Sequence, residues 1–318
     1  MPTASPPEIN SNPAPRITVV GSFAVGLTLR APRFPVPGET LLGSDFDQGP
    51  GGKGSNQAVA AARLGARVNF IGAVGEDEYA GVADRLFAAE GVGARLRRVK
   101  ERNTSVGFIV LNTAGENFII LDPGANTALN AADIQASADL IGSSDLLVAV
   151  MEIPDEPVAE ALRIARAAGV RTLLNPAPAR PLSGEVLSNV DVLTPNESEL
   201  RILLGLAPND PTPTETLVWR LLERGLELVV VALGRQGALV ATRDGLELIP
   251  SRRAAVVDTT GAGDAFNAAL SVALPPGRGV AESARRAAAA GALAVTRLGV
   301  IPALPTLAEL EAFLKEPV

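Results

Sequence analysis

The 318-residue chain contains no cysteine and no histidine. Those two absences exclude disulfides, thiolate catalysis, cysteine or histidine zinc sites and any Ser-His-Asp triad. Proton transfer is left to carboxylates, lysine or tyrosine, and a metal would have to be a hard, oxygen-liganded ion such as Mg²⁺. Aromatic residues are scarce, at 3%. No run of basic residues interrupts a net charge of −7, so nucleic acid is not an expected partner. The densest basic cluster, Arg95, Arg97, Arg98, Lys100 and Arg102, reads as solvated surface. No stretch reaches the ~18–20 uninterrupted apolar residues of a membrane span, and the opening MPTASPPEINSNPAPR lacks the apolar core of a signal peptide. A cytoplasmic protein without a membrane partner is expected, with Met1 to Pro15 as a disordered lead-in.

What is present is 47% hydrophobic residues, enough for a large core. Alanine, valine and leucine carry it, which suits helices packed on a mostly parallel sheet. Strands are predicted at Ile17–Val20, Val68–Val74, Leu146–Met151, Arg171–Leu174, Val192–Thr194 and Leu228–Leu233, alternating with helices at Ser55–Leu64, Tyr79–Ala89, Val158–Ala168, Glu197–Leu204 and Thr214–Glu223. Hairpins are expected at Ser105–Leu111 with Asn117–Leu121, around Ala114-Gly115, and at Ala238–Ala241 with Leu246–Pro250. Helices at Val280–Val295 and Thr306–Lys315 close the chain. The expectation is a doubly wound α/β domain over residues 16–318, with a small β-sheet lid drawn from about 23–48 and 103–122.

Two glycine-rich stretches carry the chemistry. In AAVVDTTGAGDAFNAAL, from Ala254 to Leu270, a buried strand, a glycine turn and a helix N-terminus follow one another. Unpartnered N–H groups and the helix dipole suit a phosphate there. Asp264 in the first turn would repel that anion unless its task is to take a proton from a hydroxyl attacking the phosphate. A first-turn carboxylate favoured by the dipole is the structural alternative. The earlier stretch, GPGGKGSNQAVAAARLGA, has Gly54 after Lys53 where a P-loop needs Ser or Thr, and Gly261-Ala262-Gly263 lacks the third glycine of a dinucleotide fingerprint.

GGKGSNQAVAAARLGA and VVDTTGAGDAFNAAL together closely resemble the ribokinase (PfkB) family of carbohydrate kinases. FPVPGET (Phe34–Thr40), LNPAPA (Leu174–Ala179), TPNESE (Thr194–Glu199), LGRQG (Leu233–Gly237) and AVTRLG (Ala294–Gly299) match it in the same order. The resemblance implies a ribokinase-like fold and an ATP-dependent sugar kinase acting on a primary hydroxyl. Asp264 then matches the catalytic base, and Gly261, Ala262 and Gly263 the backbone anion hole. Gly52, Lys53, Gly54, Asn56 and Glu152 match the sugar-binding positions. Asn196 and Glu199 match the N-x-x-E pair associated with Mg²⁺, and Gly234 and Gly237 the turn under the nucleotide. Asp258, Thr260, Ala294, Arg297 and Gly299 match the loop holding K⁺, with Ala303 where a serine commonly contributes. Homodimerisation through the lid sheet is also implied.

The chain departs from the family at Gly21-Ser22-Phe23-Ala24-Val25-Gly26, where Ala24 and Gly26 replace a sugar-binding asparagine and aspartate. Each lost charge-assisted bond would weaken a hydroxylated sugar by roughly 1.5–3 kcal/mol. The change suits a bulkier or less hydroxylated acceptor, an anionic one met by Arg30 or Arg33, or a nucleoside whose base sits near Phe23, Ala24 and Gly26. An inactive sugar-binding regulator is the alternative from another class.

Overall fold

The computed structural model describes residues 13–114, 116–275 and 277–316. Most of the expected lead-in and Gly115 of the first hairpin lie outside them. Thirteen strands form two sheets among the described residues: β1 (Arg16–Val20), β2 (Ala24–Arg30), β3 (Ser44–Gly51), β4 (Arg67–Gly75), β5 (Gly93–Val99), β6 (Ser105–Leu111), β7 (Asn117–Asp122), β8 (Leu146–Val150), β9 (Arg171–Asn175), β10 (Val192–Leu193), β11 (Leu228–Ala232), β12 (Ala238–Thr242) and β13 (Gly245–Ile249). The large sheet has the order β13-β12-β11-β10-β9-β8-β1-β4-β5. It is parallel from β5 to β11 and closes with the antiparallel hairpin β12–β13.

The strand order dictates where a site can form. From β1 the chain first adds β4 and β5 on one side and then β8 to β11 on the other, so the winding reverses beside β1. At such a reversal the loops after the carboxyl ends part and leave a crevice. Ser22, Glu152, Asn175 and Asn196 all follow or occupy the carboxyl ends of β1, β8, β9 and β10. Alternating residues feed separate cores on the two faces. Ile17 and Val19 join the layer under the Lys53–Arg63, Ala262–Ala273 and Val280–Ala294 helices, and Val20 joins that under Asp155–Ala167 and Thr214–Leu222.

The second sheet has the order β3-β2-β6-β7, with β2 parallel to β6 and antiparallel to β3. The structure adds to one expectation and corrects another. The arginine-bearing segment is the edge strand β5, and Arg95, Arg97 and Arg98 pair with Asp139, Asp133 and Asp84 at 2.8, 2.7 and 2.6 Å. Cationic side chains on an edge strand keep it from pairing with another chain. Ala254–Val257, expected as a buried strand, is neither: Val256 and Val257 are 56% and 60% exposed. Its residues pair with no strand among the described residues, and Val257 and Asp258 donate instead to the Val295 carbonyl at 2.8 and 3.2 Å. β-Propensity specifies a strand only where a neighbour supplies the ladder.

Candidate active site

The Lys53–Arg63 helix begins two residues before its expected start, inside the glycine loop. Close approach explains the glycines before it. A Cβ on Gly54 would stand 2.7 Å from the Ser22 nitrogen and 2.8 Å from Gly21 Cα, so the helix start lies directly on the turn leaving β1. There Glu152 Oε2 accepts from Ser22 Oγ at 2.5 Å and from the Lys53 N–H at 2.8 Å. Its Oε1 has no partner among the described residues. Ser22 had drawn no role from the sequence; only a serine beside a matched glycine marked it.

One turn into that helix, Asn56 and Gln57 reach across to Asp264, 208 and 207 residues away in sequence. Asn56 Nδ2 donates to Asp264 Oδ2 at 2.8 Å, and Gln57 Nε2 to Asp264 Oδ1 at 3.1 Å. Asp264 is 5% exposed and sits in the first turn of the Ala262–Ala273 helix, whose N-cap Gly261 has φ 82°. Ala265 N–H closes the first helical bond on the Gly261 carbonyl, and Ala262 N–H makes a long 3.3 Å bond to Thr259. The N–H groups of Gly261, Gly263 and Asp264 have no acceptor among the described residues, so the helix presents open donors beside the carboxylate.

The electrostatics follow from burial. Desolvation pushes the Asp264 carboxyl above its ordinary value, against the pull of Lys53, Asn56 and Gln57. Glu199 is also raised by burial, offset in part by its backbone bond to Asn196 and by Lys53. Burial alone would lower Lys53, yet Asp264, Glu152 and Glu199 around it hold the ammonium above its usual range. Two buried side-chain oxygens at this spot, Asn56 Oδ1 and Gln57 Oε1, lack partners among the described residues. Such atoms in a cleft mark where a polar ligand would be accommodated.

Asn196 caps the Glu197–Leu203 helix: its Oδ1 accepts from the Glu199 N–H at 2.8 Å, and Glu199 Oε2 accepts from the Asn196 N–H at 2.8 Å. The pair is therefore a capping box that leaves Glu199 Oε1 without a partner among the described residues. Asn196 and Gly234 line one open cleft of about 510 Å³ with Ser198 and Leu233. The two matched glycines of that turn differ. A Cβ on Gly237 would come within 2.0 Å of the Ile249 carbonyl, whereas one on Gly234 would meet nothing within 4 Å. Gly237 shapes the hairpin, and Gly234 leaves the cleft open.

The segment after Val257 lies beside the end of the Val280–Ala294 helix, which has Ala294 as its last residue. Asp258 Oδ1 accepts from Thr260 N and Oγ1 at 2.9 and 2.7 Å, and Oδ2 from Gly299 N at 3.0 Å. The Arg297 guanidinium is turned away to Glu309. Among the described residues, no cluster of three or more carboxylates forms a metal cage. Any cation in this loop would rest on main-chain oxygens.

Ala24, Gly26, Thr28 and Arg30 share one face of β2 by alternation. Gly26 is in register with Gly49 of β3 and Gly107 of β6, making a row without side chains. A Cβ on Gly26 would meet Ile109 at 3.6 Å and the Gly49 carbonyl at 3.7 Å, ordinary contacts that leave space. Burial, the largest effect, pushes the Asp258 carboxyl up, and the Thr260 and Gly299 bonds, with a smaller pull from Arg30 on that same face, hold it below its ordinary value. Phe23 does not line this space: it is fully buried, 6.1 Å from the Phe87 ring.

Comparison with known proteins places this geometry in a class. A family model described as pfkB family carbohydrate kinase matches residues 14–307, and with the α/β fold it defines a carbohydrate kinase. The chain belongs to the pfkB family. It is 38% identical over 300 residues to a ribokinase of Haemophilus influenzae, covering 94% of this chain and 98% of that protein. It is 33% identical to a deoxyribokinase of Salmonella typhi over 94% and 98% of the two chains. The solved ribokinase of Arabidopsis thaliana, complexed with ribose and ATP, superposes with a TM-score of 0.88 at 31% identity, covering 96% of this chain and 100% of that one.

Proposed function

We propose that this chain transfers the γ-phosphoryl group of ATP to the primary hydroxyl of ribose or a related sugar, in the cytoplasm. The observation that carries the reading is the buried Asp264 carboxylate at a helix start with open N–H donors, tied to the lysine-bearing loop through Asn56. Asp264 takes the hydroxyl proton, the freed oxygen attacks the γ-phosphorus, and the bond to ADP breaks on the opposite side. The amides of Gly261, Ala262 and Gly263 would meet the charge gathering on the transferring group. Glu152 Oε1 and Asn56 Oδ1, both without partners, suit sugar hydroxyls, with Gly52, Lys53 and Gly54 completing the loop around them.

The triphosphate would run towards Asn196, Glu199 and Gly234, along the open cleft. Glu199 Oε1 suits a hydrated Mg²⁺, which when bound offsets the charge of the phosphates. Main-chain oxygens around Asp258, Thr260, Ala294, Arg297 and Gly299 suit K⁺, which when bound adds positive charge beside the helix start. Lys53 is outnumbered by Asp264, Glu152 and Glu199, so a cation held beside them would supply positive charge that a polyanion needs. The exposed cross-strand residues Phe108 and Ile120, with Phe118, fit homodimerisation through the small sheet, which also serves as a lid.

A second reading concerns only the acceptor. The side-chain-free row at Gly26, Gly49 and Gly107 favours a sugar with fewer hydroxyls, or a larger substituent, on the lid side. The test is ADP formation across a panel of sugars, deoxysugars and nucleosides with Asp264→Asn as control. We expect wild-type turnover with one of these and about a 10²–10⁴-fold lower kcat in the variant. A variant keeping more than about a tenth of the rate would remove Asp264 from the role of base.

A further inference from the structure

The Asp264 carboxylate is also held by Gln57, to which the proposed function assigns no role. Gln57 is 1% exposed, and its Nε2 donates both to Asp264 Oδ1 at 3.1 Å and to Asn175 Oδ1 at 3.0 Å. Asn175, at the carboxyl end of β9 and 5% exposed, donates through Nδ2 to the main-chain carbonyl of Thr194 at 3.2 Å. The Thr194 N–H is in turn tied to Leu174 at 3.1 Å, so that carbonyl is fixed by the sheet.

The direction of this chain of amides is set at its far end. A main-chain carbonyl can only accept, so Asn175 must turn its nitrogen towards Thr194 and its oxygen towards Gln57. Gln57 must then answer with its nitrogen, whose second hydrogen is left for Asp264. The carboxylate can receive only a donor from this side, and Gln57 Oε1 is left without a partner among the described residues. Asn56 supplies the donor to the other carboxylate oxygen.

We infer that Gln57 is a positioning residue for Asp264, its amide oriented by Asn175 and the Thr194 carbonyl so that the buried carboxylate stays ionised and fixed in rotation. The inference rests on the reading of Asp264 as the base. It also links the base to the segment Thr194-Pro195-Asn196 that borders the open cleft. Two N–H bonds to the charged form oppose the desolvation that would otherwise protonate it. Lys53 from the same helix acts in the same sense, while Glu152 from the end of β8 opposes it. Glu199, beyond Lys53, is a further carboxylate within electrostatic reach of Asp264.

The test uses Gln57→Met, Gln57→Glu and Asn175→Leu in the full chain, with thermal melting to establish that each is folded. Gln57→Met fills the same space with neither a donor nor a new charge, so a space-filling role predicts wild-type behaviour for it, whereas Gln57→Glu adds a like charge beside Asp264. The first readout needs no substrate: titration of the ¹³C-labelled Asp264 carboxyl by NMR, its resonance assigned by its loss in Asp264→Asn. We expect the midpoint to rise by about one pH unit in Gln57→Met and Asn175→Leu, and further in Gln57→Glu. The second is kinetic: kcat about ten- to a hundredfold lower, KM for the sugar within about threefold, and the acid limb of the kcat profile moved upward. An unmoved midpoint in Gln57→Met, or a loss confined to KM, overturns the inference. A wild-type chain without Asp264-dependent ADP formation would overturn the kinase reading instead, and the titration would still decide the role of Gln57.

Discussion

At the scale of single residues, the site is assembled at some expense to the fold. Burial raises the folded-state pKa of Asp264, so folding favours its protonated form. For a raised pKa the contribution to stability is fully present below the unfolded value and is lost as pH rises through the folded one. Asp264→Asn should therefore melt higher than wild type at neutral pH while losing turnover, a pairing that differential scanning calorimetry and an ADP assay would register together. The pH profile should mirror this, with activity falling as acid protonates the base at a pH above the ordinary aspartate range. At Gly26 the expectation runs the other way. Gly26→Asp has space for its Cβ and should raise kcat/KM for a fully hydroxylated pentose by about tenfold, on the worth of one charge-assisted hydrogen bond. A parallel rise for the 2-deoxy and parent sugars would show that the new carboxylate does not read the hydroxyl.

At the scale of elements, the caps and strand ends do the placing. The final helix, Leu307–Lys315, opens with a capping box between Thr306 and Glu309, and Glu309 also holds Arg297 in the loop that carries Gly299. The Arg297 bond, then the Thr306 N–H, bring Glu309 down to about 2, against a small opposing effect of burial. A lowered carboxylate lends stability present above its unfolded pKa of about 4.3 and lost as pH falls towards the folded value. Both partners are partly exposed, so the gain is small after screening. Glu309→Gln keeps an acceptor for the Thr306 N–H and should cost less than about 1 kcal/mol near neutrality, through the lost charge at the helix start and on Arg297, and flatten the loss seen by thermal melting between about pH 4.5 and 2.

The element scale also separates what was legible from what was not. Regular strands and helices could be read because their apolar periods, and glycines such as Gly65 and Gly169 after helix ends, are local signals. β5 was hidden because its arginines lie at the surface of an edge strand, where they leave no apolar period to read. Val256 and Val257 misled because strand propensity says nothing about a free edge. At the site, motif residues such as Asp264 and Asn56 were identifiable through the family resemblance. Ser22, Gln57 and Asn175 were not, since their bonds span 130, 207 and 118 residues and no spacing along the chain encodes them.

At the scale of the whole molecule, the small sheet is the least covered part. Phe108, Phe118 and Ile120 are 54%, 53% and 60% exposed on one face, more apolar surface in one place than a lone chain usually leaves to water. Phe108→Asp should shift sedimentation from dimer to monomer and raise KM for the acceptor, with the large sheet unfolding as before. A monomeric wild type would remove the pairing but leave the chemistry at Asp264 untouched.

The distance along the chain between Asn56 and Asp264 has a further consequence, for the order in which the protein comes into being. During synthesis the 261 residues that precede the Ala262–Ala273 helix emerge first, with the amide donors of Asn56 and Gln57 facing an empty place. Only when the Ala262–Ala273 helix has left the ribosome and docked can the carboxylate arrive. With Asp264 as the proposed base, catalytic competence comes late in folding, and a chain cut short before that helix should be inert however well its earlier strands have paired.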